Sequence, residues 1–150
     1  MNRRQSIAAV LLYLTAGVLV AGAFADLTMT SVPTHELAFL GSTPAAADPQ
    51  VQALVLLLTR MIGCWYIAVA IGVVALAPAV YRGRQLRARL SVAGMTVLPC
   101  TLILLLTSEL GFGPNVIASV VIIVLAGVGC SLPSSLAHNL VPEQTVETRP

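Results

Sequence analysis

The sequence predicts an all-α membrane protein, a polytopic four-transmembrane-helix up-down bundle. Three observations lead to this class. Of the 150 residues, 57% are hydrophobic and 9% charged, with a mean hydropathy of +0.92. A soluble domain carries about 25% charged residues, so this chain cannot cover a water-facing surface. Long apolar runs recur at the length that crosses a hydrocarbon core, roughly 20 residues at about 1.5 Å of rise each. Finally, seven of the eight arginines fall at the N-terminus, in the second connection or in the tail, the alternation that a bundle with both termini on one side gives.

The first apolar segment, residues 7–25, follows the basic start "NRR". It also resembles a signal peptide, with a basic n-region, an apolar stretch and an A-F-A ending. Cleavage after Ala25 would leave three spans. The apolar stretch outlasts an h-region of about 7–15 residues, which favours a retained helix. The second segment, "ALVLLLTRMIGCWYIAVAIGVVALAPAVY" at 53–81, is opened by "DPQ": Asp48 can cap the helix and Pro49 suits its first turn. The third, 90–107, carries Pro99, which has no backbone N–H and should kink it. The fourth, 116–132, is entered through "GPN" and closed by Pro133. Residues 1–133 thus form one transmembrane domain, and the polar tail 134–150 is expected to be disordered. Gly63, Gly72, Gly94, Gly127 and Gly129 are expected to let helices approach closely.

The connections set the orientation. The first, 26–50, is rich in Thr, Ser, Ala and Pro, and its "HELAFLG" suits a short interfacial helix. The second, "RGRQLRAR", is short and basic, and the third, "SELGFGPN", is a tight turn. Arg3, Arg4, Arg82, Arg84, Arg87, Arg89 and Arg149 lie at the N-terminus, in the second connection or in the tail. The first and third connections hold no arginine, and their charged residues are the acids Asp26, Glu36, Asp48 and Glu109. The positive-inside rule then puts both termini in the cytoplasm of an integral, multi-pass protein.

Arg60 is the one charge within its run. Counting from the basic connection, Arg60 and Glu109 both lie about 30 Å from the inner surface. The arginine can snorkel outward or pair with Glu109 from the neighbouring third helix. With His35 and Glu36 of the long loop, these residues form a candidate polar cluster at the outer mouth, since intramembrane ionisable groups mark functional sites. Trp65 and Tyr66, just below, suit an interfacial aromatic belt or, with Pro99, the lining of a pocket between helices. Cys64 and Cys100 differ in depth by about 10 Å, more than the ~7 Å a disulfide spans, so the three cysteines are expected to be free.

Several function classes are excluded by what the sequence lacks. It has no CxxC, no HExxH, no histidine pair for haem, no central intramembrane carboxylate and no basic patch interleaved with aromatics. Metal, cofactor and nucleic-acid binding therefore have no support.

At "RMIGCWYIAVAIGVVALA" the chain resembles the DoxX-like group of small four-helix membrane proteins. There an arginine and, three residues on, a glycine open the second helix; Arg60 and Gly63 are the matching positions. The same Arg-x-x-Gly start and the Ser-Glu pair in "SELGFG" also resemble the membrane scaffold family of sterol biosynthesis. Neither resemblance implies a defined catalytic set. Besides the lipid bilayer, the expected partners are a membrane protein or a hydrophobic small molecule. The expected function is that of a non-catalytic accessory or scaffold binding one of them. The alternative is a membrane-embedded enzyme, an isomerase, cyclase or oxygenase acting on a polyketide or isoprenoid. A transporter component is the least favoured reading.

Overall fold

A computed structural model describes residues 3–32, 48–82, 86–107 and 114–132. Its elements are four α-helices: α1 (Arg3–Thr28), α2 (Pro49–Tyr81), α3 (Leu86–Thr107) and α4 (Pro114–Ser131). No strand occurs among the described residues. Three helices are long and apolar enough to cross a membrane: α1, α2 and the Leu86–Leu105 stretch of α3. The fourth, α4, is apolar but shorter.

Local sequence explains the helix ends. Asp48 Oδ1 accepts a hydrogen bond from the Gln50 N–H at 2.8 Å, and Pro49 follows at the first helical position. This satisfies one orphan amide of α2 and uses a residue that has none to offer. Pro78 and Pro99 both lie inside helices. Hydroxyls on the helices turn back on their own backbone. Thr15 donates to Leu11 O at 2.9 Å, Thr96 to Val92 O at 2.7 Å and Thr101 to Val97 O at 2.8 Å. Such bonds let a polar side chain sit in an apolar setting without an unmet donor.

The helices pack in sequence order around a ring, with α4 returning to α1. The α1–α2 interface is the most extensive and the α2–α3 interface the thinnest of those between consecutive helices. The core is made of small and medium side chains, Leu12, Leu19, Val73, Val80, Val92 and Ile122 among them, with alanines between. Large apolar side chains such as Phe24, Ile71, Leu90 and Leu98 face outward. A core rich in alanine and valine with many large apolar side chains outside is consistent with an apolar surrounding, where close backbone approach holds helices together.

Glycine makes that approach possible at defined places. A Cβ on Gly63 would lie 3.1 Å from Ala23 O, from the Asp26 Cβ and from the Leu27 Cγ of α1. Gly72 faces the Met95 methyl of α3 and Gly129 faces Leu12 of α1, at 3.2 and 3.3 Å from such a Cβ. Gly94 and Gly127 differ from the sequence expectation, for nothing lies within 4 Å of either Cβ position. Their faces point away from the neighbouring helices, so they mediate no packing in the bundle.

All three cysteines are free: Cys64 exposed, Cys100 buried and Cys130 between the two. In detergent, maleimide should therefore alkylate Cys64 first and Cys100 only on unfolding, and mass spectrometry of the denatured chain should count three thiols. A disulfide-linked pair would contradict this arrangement. Gly63→Val should destabilise the bundle by about 1–3 kcal/mol through overpacking. Gly94→Ala should be neutral or stabilising by up to about 1 kcal/mol. Thermal unfolding in detergent measures both.

Candidate functional site

The site is built where α1 ends and α2 has run a third of its length. Gly63 lets the two helices touch there, and the surrounding side chains follow from the helical step of about 100° per residue. Arg60, one turn earlier, is exposed, and its Nη2 donates to Met29 O just past the end of α1, at 3.3 Å. Arg60 thus reaches towards α1. Glu109, its expected partner, and His35 and Glu36 lie outside the described residues. Of the five N–H donors on the guanidinium, the Met29 carbonyl takes one.

Beneath Arg60, α1 and α2 enclose an open apolar groove of about 600 Å³, within the size range of small-molecule sites, roughly 300–1,000 Å³. Its floor is small, Ala16 and Gly17 of α1 with Ala70 of α2. Its walls are Tyr13 and Val20 on one side and Ile67, Ile71 and Val74 on the other. Arg60 precedes Ile67 by seven residues, two turns along the same face, and so stands about 10 Å beyond the groove. Phe24 continues the α1 wall towards that end and is 70% exposed. An exposed guanidinium thus stands beyond one end of an apolar groove.

A second groove, of about 520 Å³, lies between α2 and α3, where their packing is thin. Trp65 and Pro99 line it, with Leu58, Met61, Ile62, Leu102 and Ile103. Tyr66 does not. It is buried in the core, and a Cβ on Gly22 of α1 would lie 3.6 Å from its ring. Consecutive side chains on a helix point about 100° apart. Trp65 therefore turns to α3 and Tyr66 to α1, their ring centroids 5.7 Å apart.

Sequence reasoning passed over Asp26. It is buried, lies against Gly63 and is close enough to Tyr66 to act on it electrostatically. The signal was present as the one acid of α1, in its last turn and beyond a long uncharged run. No cluster of three or more His, Cys, Asp or Glu capable of holding a metal ion occurs among the described residues. Comparison with protein-family models, curated proteins and solved structures gave no match.

The Arg60–Met29 hydrogen bond ties the chain beyond α1 to α2, and it is exposed. Arg60→Ala should raise amide exchange across residues 27–30 while moving the thermal midpoint by no more than about 4 °C. Hydrogen–deuterium exchange by mass spectrometry reads the first effect. Unchanged exchange would show that the contact does not order this segment.

Proposed function

We propose that the protein is a non-catalytic membrane scaffold that binds an amphiphilic hydrophobic metabolite, its chain in the α1–α2 groove and its polar head at Arg60. The observation that carries this reading is an apolar groove with an exposed guanidinium about 10 Å beyond it on the same helix face. A carboxylate or carbonyl head matches the guanidinium donors other than the one that Met29 takes among the described residues. A prenyl or acyl chain matches walls of Tyr13, Ile67, Ile71 and Val74 over a floor of alanine and glycine. The likeness to the DoxX-like group belongs to the same proposal, since the two positions that carry it, Arg60 and Gly63, stand at the head of this groove.

In this reading all four helices span the bilayer, α4 with 18 residues near the lower limit of about 17–25. Both termini are cytoplasmic, because the arginine-bearing helix ends share one side. Arg60 then lies near the outer boundary, where a charge costs less than at the centre. The enzyme alternative draws on Asp26 and Tyr66, a carboxylate that lies against Gly63 and a phenol that packs on Gly22 at the same helix crossing. They are buried among packed side chains, without the open approach that a substrate needs.

The test uses full-length protein in mild detergent and a diazirine-bearing fatty acid. Photolabelling should map to residues 13–20 and 67–75. Gly17→Leu fills the groove from a position with open space around its Cβ, so the fold should survive while labelling falls roughly tenfold. Arg60→Gln should weaken binding by a similar factor by removing a charged hydrogen-bond donor. Labelling spread evenly over all four helices, and unchanged in Gly17→Leu, would refute the reading.

A further inference from the structure

The described charges are segregated along the bundle. Asp26, Asp48 and Arg60 stand at one end, while Arg3, Arg4, Arg82, Arg87 and Arg89 gather at the other. The helix contacts fix this grouping. Gly63 against Asp26 and Gly22 against Tyr66 set α1 antiparallel to α2, so α1 begins where α2 ends. Gly72 against Met95 brings the start of α3 to the same level, and Gly129 against Leu11 and Leu12 adds the end of α4.

Two further features distinguish this end from an ordinary solvated surface. Among its described residues there is no carboxylate, and the sequence puts another arginine, Arg84, in the link between α2 and α3. The N-termini of α1 and α3 also open here, adding partial positive charge. Arg89 is buried, close enough to α4 to act electrostatically on Cys130. Arg3, Arg4, Arg82 and Arg87 are exposed, and the Arg82 guanidinium lies 5.9 Å from the centre of the Tyr81 ring. Ile7, Val10 and Leu90 project outward about one turn beneath these cations, and Leu86, the first residue of α3, projects outward at the rim itself. The surface is thus cationic at its rim and apolar one turn below.

We propose that this end binds anionic glycerophospholipids, arginines taking the headgroup phosphates and the apolar residues below taking the acyl chains. Arginine suits the phosphate because its planar fork donates two parallel hydrogen bonds and stays charged at any physiological pH. Juxtamembrane cations attract anionic lipid additively. Gathering this many like charges is unfavourable by itself, and the lipid phosphates offset it. The apolar belt selects a lipid over free phosphate. The site is separate from the groove below Arg60, and neither depends on the other.

Full-length protein in a neutral detergent is titrated with phosphatidylglycerol, with phosphatidylcholine of the same chains, and with inorganic phosphate, reading the thermal midpoint and bound lipid by native mass spectrometry. Phosphatidylglycerol should stabilise and be retained, and the other two should not. The exposed pair Arg82→Gln/Arg87→Gln should weaken the apparent affinity roughly 30-fold. On the unaltered chain, raising the ionic strength from about 0.01 M to about 1 M should remove most of the effect. Equal stabilisation by phosphatidylcholine, equal stabilisation by phosphate alone, or full retention by the double variant would each overturn the proposal.

Discussion

The close crossing of α1 and α2 at Gly63 is the constraint on which the rest of the structure depends. Apolar side chains gain nothing by leaving one apolar solvent for another, so helices in such a setting are held by backbone proximity and close packing. Gly63 supplies that proximity, with Ala23 O, the Asp26 Cβ and the Leu27 Cγ all 3.1 Å from where its Cβ would be. The contact fixes the register of two long helices. Register in turn decides that Arg60 meets Met29, that Tyr66 packs on α1, and that the Ala16–Gly17–Ala70 floor is shared by one groove. The thinner α2–α3 interface leaves a looser groove at Trp65 and Pro99, and that groove has no charged residue in its lining.

Polar groups are placed so that few face apolar surroundings unpaired. The threonine hydroxyls bond to the carbonyl three or four residues back. Asp48 serves an amide that helix geometry leaves without a partner. Charges go to the two ends, and the one arginine set inside a long apolar run sits beside a carbonyl beyond the end of the adjacent helix. The same economy makes both ends chemically distinct from the middle. One end presents a single guanidinium over a hydrophobic groove, and the other a dense cationic rim over an apolar belt.

Much of the fold was legible in the sequence because its signals are local. Run length, the Asp48–Pro49 start and the positions of arginine each depend on a few consecutive residues, and the helices lie close to the apolar segments read at 7–25, 53–81, 90–107 and 116–132. The candidate site was legible only in part. Arg60 stood out as a charge in an apolar run, yet its reach towards α1 depends on which face of α2 meets which helix, and near-uniform hydrophobicity hides that. The same uniformity made all five helix glycines look alike, although Gly63, Gly72 and Gly129 face neighbours and Gly94 and Gly127 do not. Trp65 and Tyr66 were read as a pair because they are adjacent, whereas adjacency on a helix separates them. Asp26 was read as the first residue of the connection 26–50, because a helix end and a loop are equally plausible there from composition, whereas it lies in the last turn of α1.

The central claim, that α1 and α2 lie antiparallel in the register set at Gly63, is tested most directly by a distance. In a cysteine-free background reconstituted in lipid nanodiscs, spin labels at Arg4 and Arg82 and, separately, at Arg4 and Asp48 give two electron–electron separations. The 33 residues of α2 extend for about 50 Å. The account predicts a short Arg4–Arg82 separation and an Arg4–Asp48 separation longer by most of that length. Similar separations, or the reverse order, would contradict it.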